Sequence, residues 1–355
     1  MRTKKMFPFL LILFSSLFGI WQKQESGTSK DLFGIYFIDS SYGWVCGDSG
    51  IILFTSNGGR EWICQRTPVN KRLKAIHFID LNRGWACGES GIILPTTNGG
   101  IDWEIQSSPV NETLQDITFD PVSHLYGWGG GNKCGIWSFD GGNSWQGDST
   151  IRDFNAVYSF DEFCVVFGNN FCLFTTTDLG RTWYYTPSQE TILDLKVYLQ
   201  VGPDIWTAGR NGKAEWGDRG GEFFWDLYPA VVPGTCNLFG IAYEPDFSEI
   251  WIVGDDGSIF YSRDTGRIYY LDTILGIPLY DVTFPCVDLG WAVGKYGAIF
   301  HYTNEANINE KGLLKVFSNL KGTTFDIRGN KVLPKRKGVY FLKSNNKFKK
   351  IIKWR

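Results

Sequence analysis

The chain is predicted to be all-β: a seven-bladed β-propeller closed by an N-terminal outer strand, followed by a small C-terminal β tail. Three observations predict it. A Trp-x-x-Gly motif returns about every 41 residues along most of the 355-residue chain. Each clear copy is followed by an Asx-x-Gly-x-x-Trp motif, as in Asn57, Gly59 and Trp62 or Asn98, Gly100 and Trp103. A period in the 40s with this Gly and Trp punctuation is that of a propeller blade of four strands. Finally, an unpaired copy of the last strand stands at the N-terminal end, one period before the first full repeat.

The first 20 residues read as a signal peptide. Arg2, Lys4 and Lys5 precede an apolar run from Met6 to Leu17, too short for a membrane span. Residues 21–304 are the propeller. Its Trp-x-x-Gly positions are Trp44/Gly47, Trp85/Gly88, Trp128/Gly131, Val165/Gly168, Trp206/Gly209, Trp251/Gly254 and Trp291/Gly294. That makes seven blades, and the spacings leave no room for an inserted domain.

The second unit shows the strand order. Leu73–Ile79 alternates as an innermost strand, Gly84–Gly88 is the second and Gly91–Thr96 the third. Asp102–Gln106 is the outermost. Thr97-Asn98-Gly99-Gly100 forms the tight turn before it, with Asn98 expected to tolerate a left-handed backbone. The Trp that closes each unit is expected to pack between neighbouring sheets. These outer aromatics are Trp62, Trp103, Trp145, Trp183, Trp225 and Tyr269, one short of seven. Trp21-Gln22-Lys23-Gln24 supplies the seventh, because it matches Trp62–Gln65 and Trp103–Gln106, whereas the last unit ends after its third strand at Ala298–Thr303. The two chain ends then share one blade, which removes an open sheet edge.

Residues 305–322 read as a linker and 323–355 as a β segment. Thr323–Leu333 is expected to be a hairpin turning at Arg328-Gly329-Asn330, with Gly338–Lys343 and Phe348–Trp354 as a second pair.

The net charge of −2 hides an asymmetry. Residues 311–355 hold 14 Lys and Arg against one acid, Asp326, while residues 21–310 hold 18 bases against 36 acids. An acidic propeller speaks against nucleic-acid binding on its faces. Of the eight cysteines, Cys46 and Cys87 share one second-strand slot where Val293 stands in the seventh blade, so they read as small buried hydrophobes. Cys64, Cys134, Cys164 and Cys172 also fall on strands, and Cys236 and Cys286 fall in connections. The pattern favours thiols over bridges, and no spacing suggests a metal site or a cofactor.

Ser138-Phe-Asp140-Gly-Gly142-Asn-Ser144-Trp145 and Thr176-Thr-Asp178-Leu-Gly180-Arg-Thr182-Trp183 resemble Asp-boxes, the bacterial neuraminidase repeat. With Gly290-Trp-Ala-Val-Gly-x-x-Gly-x-Ile299, residues 20–303 resemble the photosystem II stability and assembly factor family of seven-bladed propellers. The tail resembles the end of a type IX secretion sorting domain. The residues that carry this are the Asp326-x-x-Gly329-x-x-Val332 pattern, Gly338-Val-Tyr-Phe341 and a Lys-rich last strand. The first resemblance implies a non-enzymatic binding or assembly scaffold. The second implies export to the periplasm, cell surface or exterior, with the secretion machinery as a partner of the tail.

Asp-boxes also occur in sialidases and other glycosidases, so a carbohydrate-active enzyme or glycan binder is the alternative. A glycosidase needs two carboxylates facing each other across a sugar. Asp140, Asp178, Asp218 and Asp264 are turn residues repeated between blades and read as structural, as do Gly142, Trp145, Gly180 and Trp183. His77, His124 and His301 lie in different blades at different strand positions, with no nucleophile motif nearby. No catalytic residue is therefore assigned. Positions that differ between blades on one face carry the functional expectation. The turns between second and third strands ring the channel, and Arg210, Asp255, Asp256, Lys295 and Tyr296 are the expected contacts for a protein or glycan partner. The protein is expected to act as a monomer without a membrane-spanning segment.

Overall fold

The repeat builds seven blades in the order in which it occurs. A computed structural model describes residues 19–149, 153–160, 163–168, 173–178, 182–186, 195–201, 204–219, 225–245 and 249–303. In the C-terminal segment it describes the strands 323–326, 338–344 and 347–353. Among these residues no helix is long and apolar enough to cross a membrane.

Blades 1 to 6 each begin with their innermost strand and run outward in antiparallel order. Blade 7 takes its first three strands from Leu279–Cys286, Leu289–Gly294 and Ile299–Thr303. Its outer strand is Ile20–Gln24, paired from Ile20 with Thr303 to Gln24 with Ile299. The N-terminal strand therefore closes the ring, as the spare Trp21 copy implies. The innermost strands of neighbouring blades touch in sequence around the ring, and that of blade 7 touches that of blade 1.

The core is a set of layers between blades. In four of these layers a second-strand Trp lies flat on a Phe from the innermost strand of the next blade. Trp44 stacks on Phe78 at 3.7 Å and Trp291 on Phe37 at 3.8 Å. The outer Trp of that next blade meets the same Phe edge-on: Trp62 on Phe37 at 6.0 Å, Trp103 on Phe78 at 5.9 Å. Trp21 does the same to Phe284 at 6.1 Å. Flat and edge-on contacts on one ring satisfy the aromatic quadrupole twice and bury large areas. In blade 4 Ser159 stands in the Phe slot, and Trp183 instead packs edge-on against Trp128 at 5.8 Å. The glycine that opens the second strand makes room for the Phe. A Cβ on Gly84 would stand 2.5 Å from the Phe78 ring, and one on Gly43 2.5 Å from Phe37.

A glutamine latch joins successive blades. Gln65, on the outer strand of blade 1, accepts from the Trp103 indole at 3.1 Å and donates to the Gly99 carbonyl at 2.9 Å. Gln106 holds Trp145 and Gly142 in the same way, at 3.0 and 2.8 Å. Gln24 repeats it across the closure, accepting from Trp62 and donating to Gly58, both at 3.2 Å. The N-terminal strand is thus tied to blade 1 as each outer strand is tied to the next blade.

Four expectations change. Asp102–Gln106 does not form a full outer strand in blade 2; it makes one bridge, Ile93 to Gln106, and its Glu104 amide donates to the Pro95 carbonyl. Pro95 has no N–H to return a bond, so the ladder stops. The turn residue Asn98 is not left-handed. Gly99 and Gly100 take the positive φ, at 73° and 89°, while the Asn98 side chain accepts from the Asp102 amide. Cys286 ends the innermost strand of blade 7 rather than lying in a connection. In the tail, Thr323–Asp326 pairs with Gly338–Ser344, which pairs with Lys347–Lys353, giving a three-stranded sheet. The second limb of the expected Thr323–Leu333 hairpin lies outside the described residues.

Candidate functional site: the channel face

The same glycines that mark the repeat shape the face where a partner can dock. In blades 1, 2, 3, 6 and 7 the residue after the Trp-x-x-Gly glycine donates to a carbonyl of the segment that leads into its own blade. Asp48 N bonds Asp31 O, Glu89 N bonds Arg72 O and Lys295 N bonds Pro278 O, each at 2.9 Å. This crossing is possible only without a side chain. A Cβ at Gly47 would stand 2.2 Å from Asp31 O, at Gly88 2.1 Å from Arg72 O and at Gly294 2.0 Å from Pro278 O. The turns between second and third strands therefore lie on the face that also carries the blade-to-blade connections.

The crossing forces a bulge. In blade 1 Leu32 pairs with Gly47 and Gly34 with Cys46, leaving Phe33 unpaired. The same register shift occurs in every blade and leaves Lys74, Gln115, Asn155, Lys196, Phe239 and Tyr280 in the equivalent slot. Bulges re-aim side chains, and here they bring the slots of neighbouring blades together. Tyr280 stacks on Phe33 at 5.1 Å and meets Phe239 at 5.8 Å, so blades 6, 7 and 1 form an aromatic arc. The Lys74 ammonium of blade 2 lies 4.2 Å from the Phe33 centroid and the Arg72 guanidinium 5.0 Å, a cation–π arrangement. Arg72 also pairs with Asp48 and, at 3.8 Å, with Glu89. Burial, and next the neighbouring Arg72 charge, hold Lys74 below the usual lysine range. Onward from Lys74 the slot is polar: the Gln115 amide donates to Asn132 at 3.0 Å. Three of the seven slots hold an aromatic residue and four a polar one.

Five of these turns hold a left-handed residue that is not glycine, followed in four of them by a left-handed glycine. Ser49, Ser90, Lys133, Asn211 and Tyr296 have φ between 56° and 59°. Staples from the next blade hold three of them: Asp153 accepts from Lys133 N at 3.0 Å, Asn237 from Asn211 N at 3.2 Å and Asp31 from Tyr296 N at 2.9 Å. Tyrosine is a poor occupant of this region. Tyr296 nevertheless sits there with 62% of its surface exposed, beneath the Lys295 ammonium at 4.8 Å. It also walls a 290 Å³ pocket formed with Lys23–Ser29 and Gly297.

The sequence-derived contacts fall into two groups. Asp255 accepts twice from Asn237, at 3.0 and 2.7 Å, and Asn237 bonds the turn that begins with Arg210. Asp256 accepts from the Ser258 amide at 2.8 Å, and its acceptor bonds keep it below the usual carboxylate range despite some burial. Cys236 completes a cluster with Asp255 and Asp256, their ligand atoms all within 4.8 Å. Burial, then Asp256, pushes its thiol up to about 12, the opposite of a metal-ready thiolate. Lys295 and Tyr296 form the second group, beside Asp31 and Tyr280 at the closure between blades 7 and 1. Of the residues read as structural, Asp140 accepts from Ser138 and Ser144 and Asp178 from Thr176 and Thr182, each carboxylate spanning its own turn. Gly142 N donates to Ser138 in that turn, and Trp145 is buried. Gly180 lies outside the described residues.

The aromatic arc was missed from sequence because Phe33, Phe239 and Tyr280 sit among alternating apolar residues and read as core. The signal was available in the pattern Leu-x-Gly/Ala/Asp at five of the innermost strands, where x varies. Two carboxylates follow the arc in the next strand position. Asp281 accepts from Val282 and from Ile35 of blade 1, at 2.8 and 2.9 Å; Asp116 accepts from Ile117 and from Val157 of blade 4, at 2.8 and 2.9 Å. Enclosure by protein raises both, Asp281 to about 7, with Asp116 adding a smaller push. Every one of their four oxygens holds a backbone amide, so they act as staples between blades.

Seven four-part repeats closed into a ring by the N-terminal strand define a β-propeller. The family of the photosynthesis system II assembly factor YCF48 matches residues 15–108 and 198–303, and the chain belongs to that family. Among solved structures, YCF48 bound to D1 peptide has a TM-score of 0.66 at 21% identity, over 80% of this chain and 94% of that one. YCF48 from Cyanidioschyzon merolae has a TM-score of 0.67 at 17% identity, over 81% and 99%. The Myceliophteria_thermophila Cps50 (Swd1) β-propeller domain has 0.63 at 8%, over 80% and 99%. At these identities the likeness shows the fold.

Proposed function

We propose that this protein is an exported, non-enzymatic scaffold that holds a protein partner on its channel face. One observation carries the reading: the same bulged slot recurs in every blade while the residue in it changes between aromatic and polar types, so the repeat builds the frame and the slot supplies the chemistry. Membership of the YCF48 family supports it, and a relative of the same fold is bound to a peptide. The engagement of all four Asp116 and Asp281 oxygens with backbone amides favours binding over carboxylate catalysis. Export rests on the charged and apolar pattern of residues 1–20, and the tail is read as its address for the secretion machinery.

Affinity capture from the native envelope tests both parts. A fourfold Ala variant at Arg210, Asp256, Lys295 and Tyr296 is expected to lose most of the partner retained by the wild-type chain. Unchanged retention would overturn the face assignment. Removal of residues 311–355 is expected to leave retention intact and shift the protein between cell fractions; an unchanged distribution would overturn the address reading.

A further inference from the structure

The ring has a vacancy for one negative charge. Arg72 is neutralised by Asp48 and Glu89, whereas Lys74, one step further into the mouth, has no carboxylate within ion-pair distance among the described residues. Its ammonium rests on one side of Phe33 and Tyr280 stacks on the same ring. The faces of Phe33 are thereby occupied, and Phe239 approaches Tyr280 at a steep 62° angle. Such an arc offers ring edges and narrow gaps, which suit an inserted aliphatic or aromatic side chain better than the flat face of a pyranose.

We propose, resting on the scaffold reading above, that the occupant is an extended peptide segment of the partner carrying an apolar side chain and a carboxylate close together. The apolar side chain lies against Tyr280 and Phe239, and the carboxylate meets Lys74. From Tyr280 to Phe33 is 5.1 Å and from Phe33 to the Lys74 ammonium 4.2 Å. An extended chain rises about 3.3 Å per residue, so the two anchors stand two or three residues apart. The excess of acids in residues 21–310 limits the charge to one or two carboxylates. A polyanion would be repelled at long range, while a single carboxylate is recognised at contact.

Selection of short random peptides on the immobilised full chain tests this, with Lys74→Gln and Tyr280→Ser chains selected in parallel. The expected result is enrichment of peptides with Leu, Ile, Phe, Tyr or Trp followed two or three residues later by Asp or Glu. Binding of a selected peptide is expected to weaken at least tenfold on Lys74→Gln and on replacing its acid by the amide, and to be largely kept by Lys74→Arg. Lys74 is half-buried against Phe33, so an unchanged circular dichroism spectrum is required of Lys74→Gln to confirm its fold. Enrichment of peptides without an acid, lost on Tyr280→Ser and kept on Lys74→Gln, overturns the charge assignment and leaves the scaffold reading standing. Displacement of the selected peptides by cellohexaose with indifference to Lys74 overturns the peptide assignment in favour of a glycan. Failure of the scaffold reading itself is seen separately, as native-partner capture that ignores the whole channel face.

Discussion

Gln24→Ala probes the closure of the ring. The side chain makes two bonds across the junction of blades 7 and 1, to the Trp62 indole and the Gly58 carbonyl, each at 3.2 Å. Truncation leaves a half-buried donor and a half-buried acceptor unpaired, at about 1–3 kcal/mol in total. Gln65→Ala removes the same two bonds between blades 1 and 2, at 3.1 and 2.9 Å, and is expected to cost about as much in global stability. The local consequence differs. Ile20–Gln24 is held to its sheet along one side only, by Ile299–Thr303, and no described strand precedes it in the chain. Hydrogen exchange is therefore expected to quicken strongly at 299–303 in Gln24→Ala, whereas Gln65→Ala leaves those amides near their wild-type rates. Equal protection of 299–303 in both variants would refute the view that the N-terminal strand closes the ring through this latch.

Other outcomes follow from single contacts. Gly84→Ala sets a methyl group 2.5 Å from the Phe78 ring and is expected to lower the unfolding free energy read from urea titration by about 1–3 kcal/mol, as overpacking does. Tyr296→Gly relieves a left-handed tyrosine and is expected to raise stability by about 1 kcal/mol while weakening partner retention. Asp281 is raised to about 7 from an unfolded value near 3.9, so its contribution is complete below about pH 4 and lost as pH rises to about 7. Urea midpoints at pH 5 and 7.5 are expected to differ by less in Asp281→Asn, which keeps an acceptor for the Ile35 amide. His77 acts oppositely, lowered to about 4 by burial first and His124 second, so its share is lost as pH falls from about 6.5. Finally, Cys64 is exposed and is expected to react at once with a thiol reagent, while buried Cys46, Cys87, Cys134 and Cys164 react only on unfolding.

The blade count and the N-terminal closure were legible because they rest on residues whose types are forced. Gly84 must clear Phe78, Gly88 must clear the Arg72 carbonyl, and Trp103 must reach both Phe78 and Gln65. Such demands recur in several blades and print a period on the sequence. The Gln24, Gln65 and Gln106 latches recur too, but glutamine is common on outer strands, and their role emerged only from geometry. Pro95 could have warned that blade 2 lacks a full outer strand, since a proline cannot return the ladder bond. The functional ring was hidden for a different reason. A bulge displaces Phe33, Phe239 and Tyr280 from the alternation that would otherwise assign them to the core, and a one-residue shift changes the face they occupy. The turn residues Arg210, Asp255, Asp256, Lys295 and Tyr296 could be proposed from variability between repeats, but not their division into two groups.

Site-specific photo-crosslinking in cells tests the central claim most directly. A photoreactive amino acid introduced at position 296, on the channel face, is compared with one at position 105, which is equally exposed on the outer rim. The account expects a discrete covalent adduct with the native partner from position 296 and none from position 105. An adduct from position 105 with none from position 296 would contradict it.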